Sequence, residues 1–357
     1  MAPANPGPDI AKHVRLVTPG LLESPGGMPY GNRSPAPEEL AIPYLETLLA
    51  RSDRVAVRSA PDLERLLFDL FQISVDSARD LPVAPVTRVT DLGVIDKGWW
   101  MRADPVHLRP AGDHLILADA TILHITQDEA DRLVAELMGV YAEDGWVLKT
   151  ARPDRWYLKP PQVPDIQTAP LPTVVGRDVH AYLPQGKDAK AWHTILNEIQ
   201  ILLHTAPVNA ERERQGQLPI NSVWFWGGGP LPELKHVQWA KIWSTEPVSL
   251  ALARLSETAC APVPAQAHEW LDQVDVPGEH LIVMDEGRGA VQYGDSERWI
   301  RFIQTLETEW IMPLLLALKK GRIHSLTVYT ESVPGFALTA KHLRRWWRRR
   351  RSLLGYR

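Results

Sequence analysis

Short apolar runs rich in β-branched and aromatic side chains alternate along this chain with stretches of helical period. "HVRLVT" (13–18), "SVWFW" (222–226), "HLIVMD" (280–285) and "SLTVYT" (325–330) predict buried strands. Between the last two, Trp299, Phe302, Ile303, Leu306, Trp310, Leu314 and Leu318 recur at spacings of three and four. That period predicts an amphipathic helix, closed by Gly321, with a kink or break near Met312 because Pro313 lacks an amide proton. Strand, long helix, strand is the pattern of a crossover in a mostly parallel sheet.

The middle of the chain has a different texture. "GWWMRADPVHL" and "DHLILADATILHI" predict a hairpin around "RPAGD", and Thr126-Gln127-Asp128-Glu129 is a capping box opening a helix through Leu137. "GWVLKT" and "DRWYLKP" predict two more strands, and the proline-rich 159–172 predicts a loop. A helix over 188–204 carries Trp192, Ile195, Leu196, Ile199 and Leu203 on one face. The expected organisation is therefore a discontinuous α/β core (1–96 and 191–340), an inserted α+β domain (97–190) and a tail (341–357).

Composition narrows the class. A hydrophobic share of 45% with 23% charged residues is that of a soluble globular chain, and no apolar run approaches the length of a membrane span. The opening "MAPANPGPDIAKH" holds no signal-like apolar segment, and the single Cys260 forms neither an internal disulfide nor a cysteine–zinc cluster. The expectation is a bacterial cytoplasmic protein. The net charge of −4 conceals an asymmetry, because residues 341–357 hold eight Lys or Arg and no acid. The remainder has 31 basic against 43 acidic side chains, a balance of −12. Two readings stand for "KHLRRWWRRRRSLLGYR": an end folded back on the acidic body, or a contact for a polyanion or an anionic membrane.

The most distinctive stretch is "NSVWFWGGGPLP" (221–232), where aromatic bulk runs straight into three glycines. Trp224, Trp226, Gly227, Gly228 and Gly229 fit a core strand and a turn at positive φ, or a ligand site beyond a strand's carboxyl end.

Taken in order, "RADPVHL…DHLILADATILHITQDEADRLVAEL", "DRWYLK" and "LLHTAPVNAERERQGQLPINSVWFWGGGPLP" resemble the archaeal-type cofactor-independent phosphoglycerate mutases, of the alkaline phosphatase superfamily. The resemblance covers about residues 97–340. The Trp-Phe-Trp-Gly-Gly-Gly stretch is also similar to that of bacterial RpfE-type regulatory proteins. The resemblance implies a mostly parallel, alkaline-phosphatase-like sheet flanked by helices, with the 97–190 insertion as a lid. It also implies phosphoryl transfer through a serine and two divalent metals held by Asp, His and further carboxylates. Both metals contact the transferring group, so their ligands are indispensable.

Matched position by position, those ligands are largely missing. Pro19 and Gly20 stand where the resemblance implies a metal-binding Asp, and Ile42 and Glu46 replace the Thr and Asp of a "Thr-Pro-Asn-Leu-Asp" turn. The implied Asp-Glu-x-x-His-Asp cluster reads "DEGRGA", keeping Asp285 and Glu286 without a His. The implied Asp-His-Ser reads Thr330, Glu331 and Ser332, and the arginine-rich substrate segment reads "LADATILHI". Arg102, Arg155, Asn209 and Arg212 persist as ligand-binding candidates; Arg102 with Asp104 and Arg155 with Asp154 read as anion contacts or as surface ion pairs. His236, His280 and His324 read as structural or surface residues. Two function classes follow. The first is a binding or regulatory protein without two-metal transfer, with no cofactor and with a small anionic ligand or a protein as partner. The second is an active manganese- or zinc-dependent phosphatase or mutase with a rearranged site at Asp285, Glu286 and Glu331.

Overall fold

The computed structural model describes residues 11–23, 25, 40–56, 62–76, 78–234, 239–331 and 334–356. Ser332 and His236 lie outside them. The chain forms two compact units, Met1–Gln72 with Leu234–Arg357, and Ile73–Glu233. Along the chain, unit 1 supplies β1 (Lys12–Val17) and β2 (Asp53–Val55). Unit 2 supplies β3 (Trp100–Ala111), β4 (His114–Ala118), β5 (Val147–Arg152), β6 (Arg155–Lys159) and β7 (Ser222–Gly229). Unit 1 resumes with β8 (Trp239–Trp243), β9 (Cys260–Ala261), β10 (Gly278–Val283), β11 (Ser325–Tyr329) and β12 (Gly335–Thr339).

Unit 1 is a mixed α/β layer with the sheet order β2-β12-β11-β1-β10-β8-β9. From β11 to β9 every pairing is parallel, and β12 and β2 close one edge antiparallel. Fully buried Val14, Leu16, Ile282, Leu326 and Val328 stand in register at alternate positions and line one face of that sheet, while buried Val17, Leu281 and Val283 line the other. The helical stretch before β11 buries Trp299, Ile303, Leu306, Trp310 and Leu314 in the same core. Its α-helices, Ser296–Thr305 and Met312–Lys319, are joined by a π-helical segment, Leu306–Ile311. The interruption expected at Pro313 is thus a change of hydrogen-bond register just upstream, where a wider turn makes room for the ring. Within that segment the Glu307 carboxylate accepts the amides of Tyr44 and Leu45, both at 2.7 Å. It thereby caps the helix Pro43–Arg51, whose own N-cap, Ile42, has no polar side chain.

Unit 2 is antiparallel. β3 pairs with β4, β6 and β7, and β5 with β6. The expected hairpin is present, with Gly112 at φ +66°, and the Thr126–Glu129 capping box opens the helix Gln127–Tyr141. Two expectations are corrected. The aromatic strand 222–229 is not part of the parallel layer: it pairs with β3, so unit 2 takes in residues 73–96 and 191–233 as well as 97–190. The three glycines are not a turn but the end of β7, and only Gly227 has positive φ (+68°). Gly228 and Gly229 serve close packing: a Cβ there would lie 2.6 Å from the Trp99 ring and 2.7 Å from Pro82. No helix among the described residues is long and apolar enough to cross a membrane.

Candidate functional site

Open parallel sheets present polar groups beyond the carboxyl ends of their strands. In unit 1 those ends carry a group of charges centred on Arg288. The helix Glu286–Gln292 follows β10 and aims the Arg288 guanidinium at Glu64, in the first turn of the helix Leu63–Leu70. Nη1 and Nη2 donate to the two Glu64 oxygens, each at 2.8 Å, and Nε lies 3.3 Å from Glu331, just after β11. Glu64 is 4% exposed and Glu331 8%, so this is a buried bidentate pair with a third contact. Glu331 also accepts the Leu63 amide at 3.1 Å. Asp62 and Asp285 are further charged neighbours of Arg288. The half-buried Asp285 is the N-cap position of the Arg288 helix, though its side chain does not cap it.

The adjoining backbone is tightly packed. After β1, a Cβ on Gly20 (φ +79°) would sit 2.6 Å from the Gly287 carbonyl, and one on Gly287 would sit 2.7 Å from the Pro19 oxygen. Trp299 Nε1 donates to the Gly20 oxygen at 2.8 Å. The turn for which the resemblance implies a metal-binding Asp is therefore in backbone contact with the Arg288 helix.

Burial raises several carboxylates here. Glu331 is pushed up to about 7, mainly by desolvation, with Arg288 opposing and Glu23, Glu64 and Asp62 adding to the rise. Arg288 itself is held strongly in its charged form by Glu64 and Glu331 against its own burial. Glu64 takes both terminal nitrogens and Glu331 only the longer third contact, so at Glu331 burial prevails over the attraction of Arg288. Glu246, beyond β8, also rises to about 7 on burial, although it accepts the amides of Val248 and Ser249 at 2.8 and 2.7 Å.

A pH dependence follows. A carboxyl whose folded pKa is raised binds more protons folded than unfolded, so its contribution to stability is full below about pH 4.5 and is lost as pH rises through about 7. Glu331→Gln cannot ionise and is expected to lose about 2.5 kcal/mol less than the parent between about pH 5 and about pH 8. Urea denaturation of both proteins at the two pH values measures the difference. The buried His280, lowered by desolvation, works in the opposite sense in both proteins and cancels in the comparison.

The sequence-predicted residues fall into separate places. Asp285 and Glu331 meet at Arg288, whereas Glu286 is exposed and has Asp285 and Arg298 as its charged neighbours. Among the described residues no group of three or more His, Cys, Asp or Glu is placed to hold a metal ion. In unit 2, Arg102 pairs with the buried Asp104, Nε at 2.8 Å and Nη2 at 2.7 Å. Asp104 also accepts Trp226 Nε1 at 2.7 Å and the Trp156 amide at 3.3 Å. Burial pushes Asp104 up to about 6 while the same contact favours charged Arg102; with four donors converging on the carboxylate, the ion pair is the state at neutral pH. The Arg102 guanidinium lies 5.3 Å from the Tyr157 ring centre and 5.4 Å from that of Trp226.

Arg155 pairs with Asp91 at 2.6 and 2.9 Å, and Tyr157 donates to the same Asp91 at 2.6 Å. Asn209 bonds Leu203 and both backbone groups of Ile220. Arg212 bonds Glu129 and the carbonyls of Leu218 and Leu123. Trp224 Nε1 donates to the Ala169 carbonyl at 2.9 Å. Arg102, Arg155 and Trp226 thus share one network, Asn209 and Arg212 tie a loop to a helix, and each makes its polar contacts inside the unit. Sequence reading missed Arg288 and Glu64; the one signal was an arginine held between two glycines directly after Asp285 and Glu286.

Comparison with known proteins gives the relationship. The chain is 26% identical over 236 residues to a 2,3-bisphosphoglycerate-independent phosphoglycerate mutase of Methanothrix thermoacetophila, covering 58% of this chain and 56% of the relative. It is 22% identical over 231 residues to a probable enzyme of that name from Geobacter sulfurreducens, covering 62% and 57%. The chain is phosphoglycerate-mutase-like. It spans little more than half the length of these relatives. The solved cofactor-independent phosphoglycerate mutase of Thermoplasma acidophilum aligns over 92% of this chain and 89% of its own, with 16% identity and a TM-score of 0.39. No family model matches the chain.

Proposed function

We propose that this phosphoglycerate-mutase-like chain does not carry out two-metal phosphoryl transfer and acts instead by binding, as a regulatory protein. Arg288 carries the reading. Two-metal transfer requires open carboxylate and imidazole ligands around a pair of divalent cations. Here a permanent cation with fixed, directional donors already binds Glu64 through both oxygens and contacts Glu331. A dication beside Arg288 would meet like charge, and among the described residues no three or more His, Cys, Asp or Glu are grouped to hold a metal ion. The residues do not fit a two-metal centre. Placement in the alkaline phosphatase superfamily, next to the RpfE-type regulatory proteins, rests on the ordered motifs and the shared Trp-Phe-Trp-Gly-Gly-Gly stretch.

Protein incubated with manganese or zinc and then desalted is expected to retain substoichiometric metal by mass spectrometry and to show no mutase or phosphomonoesterase turnover. Two tightly held ions per chain, with turnover lost on Asp285→Asn or Glu331→Gln, would instead establish a rearranged two-metal enzyme.

A further inference from the structure

The cationic tail is neither wholly folded back nor free. Its two ends are fastened to unit 1. Arg345 makes a bidentate pair with Asp53, Arg348 donates to the Ser52 carbonyl at 2.6 Å and to Asp53 at 3.2 Å, and Arg51 bonds the Leu343 carbonyl. Further on, Leu353 and Tyr356 enter the core at 1% and 7% exposure, and Arg54 donates to the Tyr356 carbonyl at 3.0 Å. Between these anchors the chain holds its bulkiest side chains outward. Trp346 is 79% and Trp347 61% exposed, their rings packed edge to face with centroids 6.1 Å apart. Arg349, Arg350 and Arg351 follow, all exposed, and none has a carboxylate partner among the described residues. An open cleft of about 670 Å³ lies alongside, with Ile42 and Pro43 as apolar lining and Glu46, Trp346, Arg349 and Arg350 among its other walls.

Exposing two adjacent indoles leaves a large apolar area in water that folding does not require, since the anchors on either side hold without them. We propose that this pinned loop is a docking tip for an anionic lipid surface. Indole rings settle at the boundary between headgroups and acyl chains, and clustered arginines next to them pair with lipid phosphates. The footprint is small and local, which suits a planar bilayer touched at one point. A nucleic acid strand would need a continuous basic track, and the chain outside the tail is acidic by twelve charges.

The test is co-sedimentation of the whole 357-residue chain with vesicles of phosphatidylcholine alone and of phosphatidylcholine mixed equally with phosphatidylglycerol. Binding is expected to the mixed vesicles only and to weaken with salt. Each exposed charge near an anionic surface is worth about fivefold in partition, so Arg349→Ser with Arg350→Ser and Arg351→Ser should weaken binding about a hundredfold. Trp346→Ser with Trp347→Ser should also abolish retention while leaving the melting temperature unchanged. Should that pair of changes lower the melting temperature, the arginine variant, which keeps both indoles, decides alone. Equal retention on both vesicle types, no retention on either, or variants that bind like the parent would overturn the proposal. So would a labelled single-stranded oligonucleotide that binds through the same residues while mixed vesicles do not.

Discussion

Arg288→Ala is expected to cost about 3–5 kcal/mol of folding stability, because it leaves Glu64 and Glu331 buried without their cation. Removing one partner of a buried pair is far more damaging than the net strength of the pair suggests, since the desolvation of the survivors remains uncompensated. Glu64 loses both guanidinium contacts, and Glu331 loses its cation while keeping the Leu63 amide. Without Arg288, Glu331, already raised to about 7, would rise further, so its part of the deficit should widen as pH rises through about 7 and shrink below it. Arg288→Lys supplies the charge but not the fork, and is expected to recover only part of the loss. Chemical denaturation of the three proteins at two pH values decides the matter. A loss below about 1 kcal/mol for Arg288→Ala would mean that the cluster is solvated enough to manage without its arginine, and the space would be open to another cation.

Trp226→Ala is expected to cost a further-ranging 3–5 kcal/mol or about that, through two separate effects. The side chain is 5% exposed, so truncation opens a cavity; it also donates at 2.7 Å to the buried Asp104 and flanks Arg102. Trp226→Phe separates the two, keeping most of the volume while removing the donor, and should cost about 1–3 kcal/mol. Melting curves read both variants. If Trp226→Ala melted like the parent, the aromatic strand would be free for a ligand and its role in the core would be refuted.

What the residue pattern determined was local. Periods of two and of three to four residues gave the strands and the long helices, because amphipathicity is set by neighbours within one or two turns of chain. The Thr126–Glu129 cap was legible for the same reason: both its hydrogen bonds close within three residues. The break near Pro313 followed from a missing amide proton, although its form as a π-helical segment depends on how Leu306, Trp310 and Ile311 pack.

The sheet that takes the strand 222–229 was decided only in three dimensions. An uninterrupted apolar run reads alike in a parallel layer and between an antiparallel partner and a helix, and pairing with Trp100–Val106 lies more than a hundred positions away in the chain. The same holds at the candidate site. Asp285 and Glu331 were visible as carboxylates at strand ends, but an arginine between glycines looks like any solvated side chain. Its meaning comes from Glu64, 224 positions distant, and from burial that the fold alone creates. The tail divides along the same line: its charge and tryptophans are written in its composition, while Asp53 and the pocket for Tyr356 determine which arginines are bound and which point outward. Local periodicity is a property of the chain, whereas the strength of a charge depends on the water excluded around it, and that exclusion exists only once distant segments have packed.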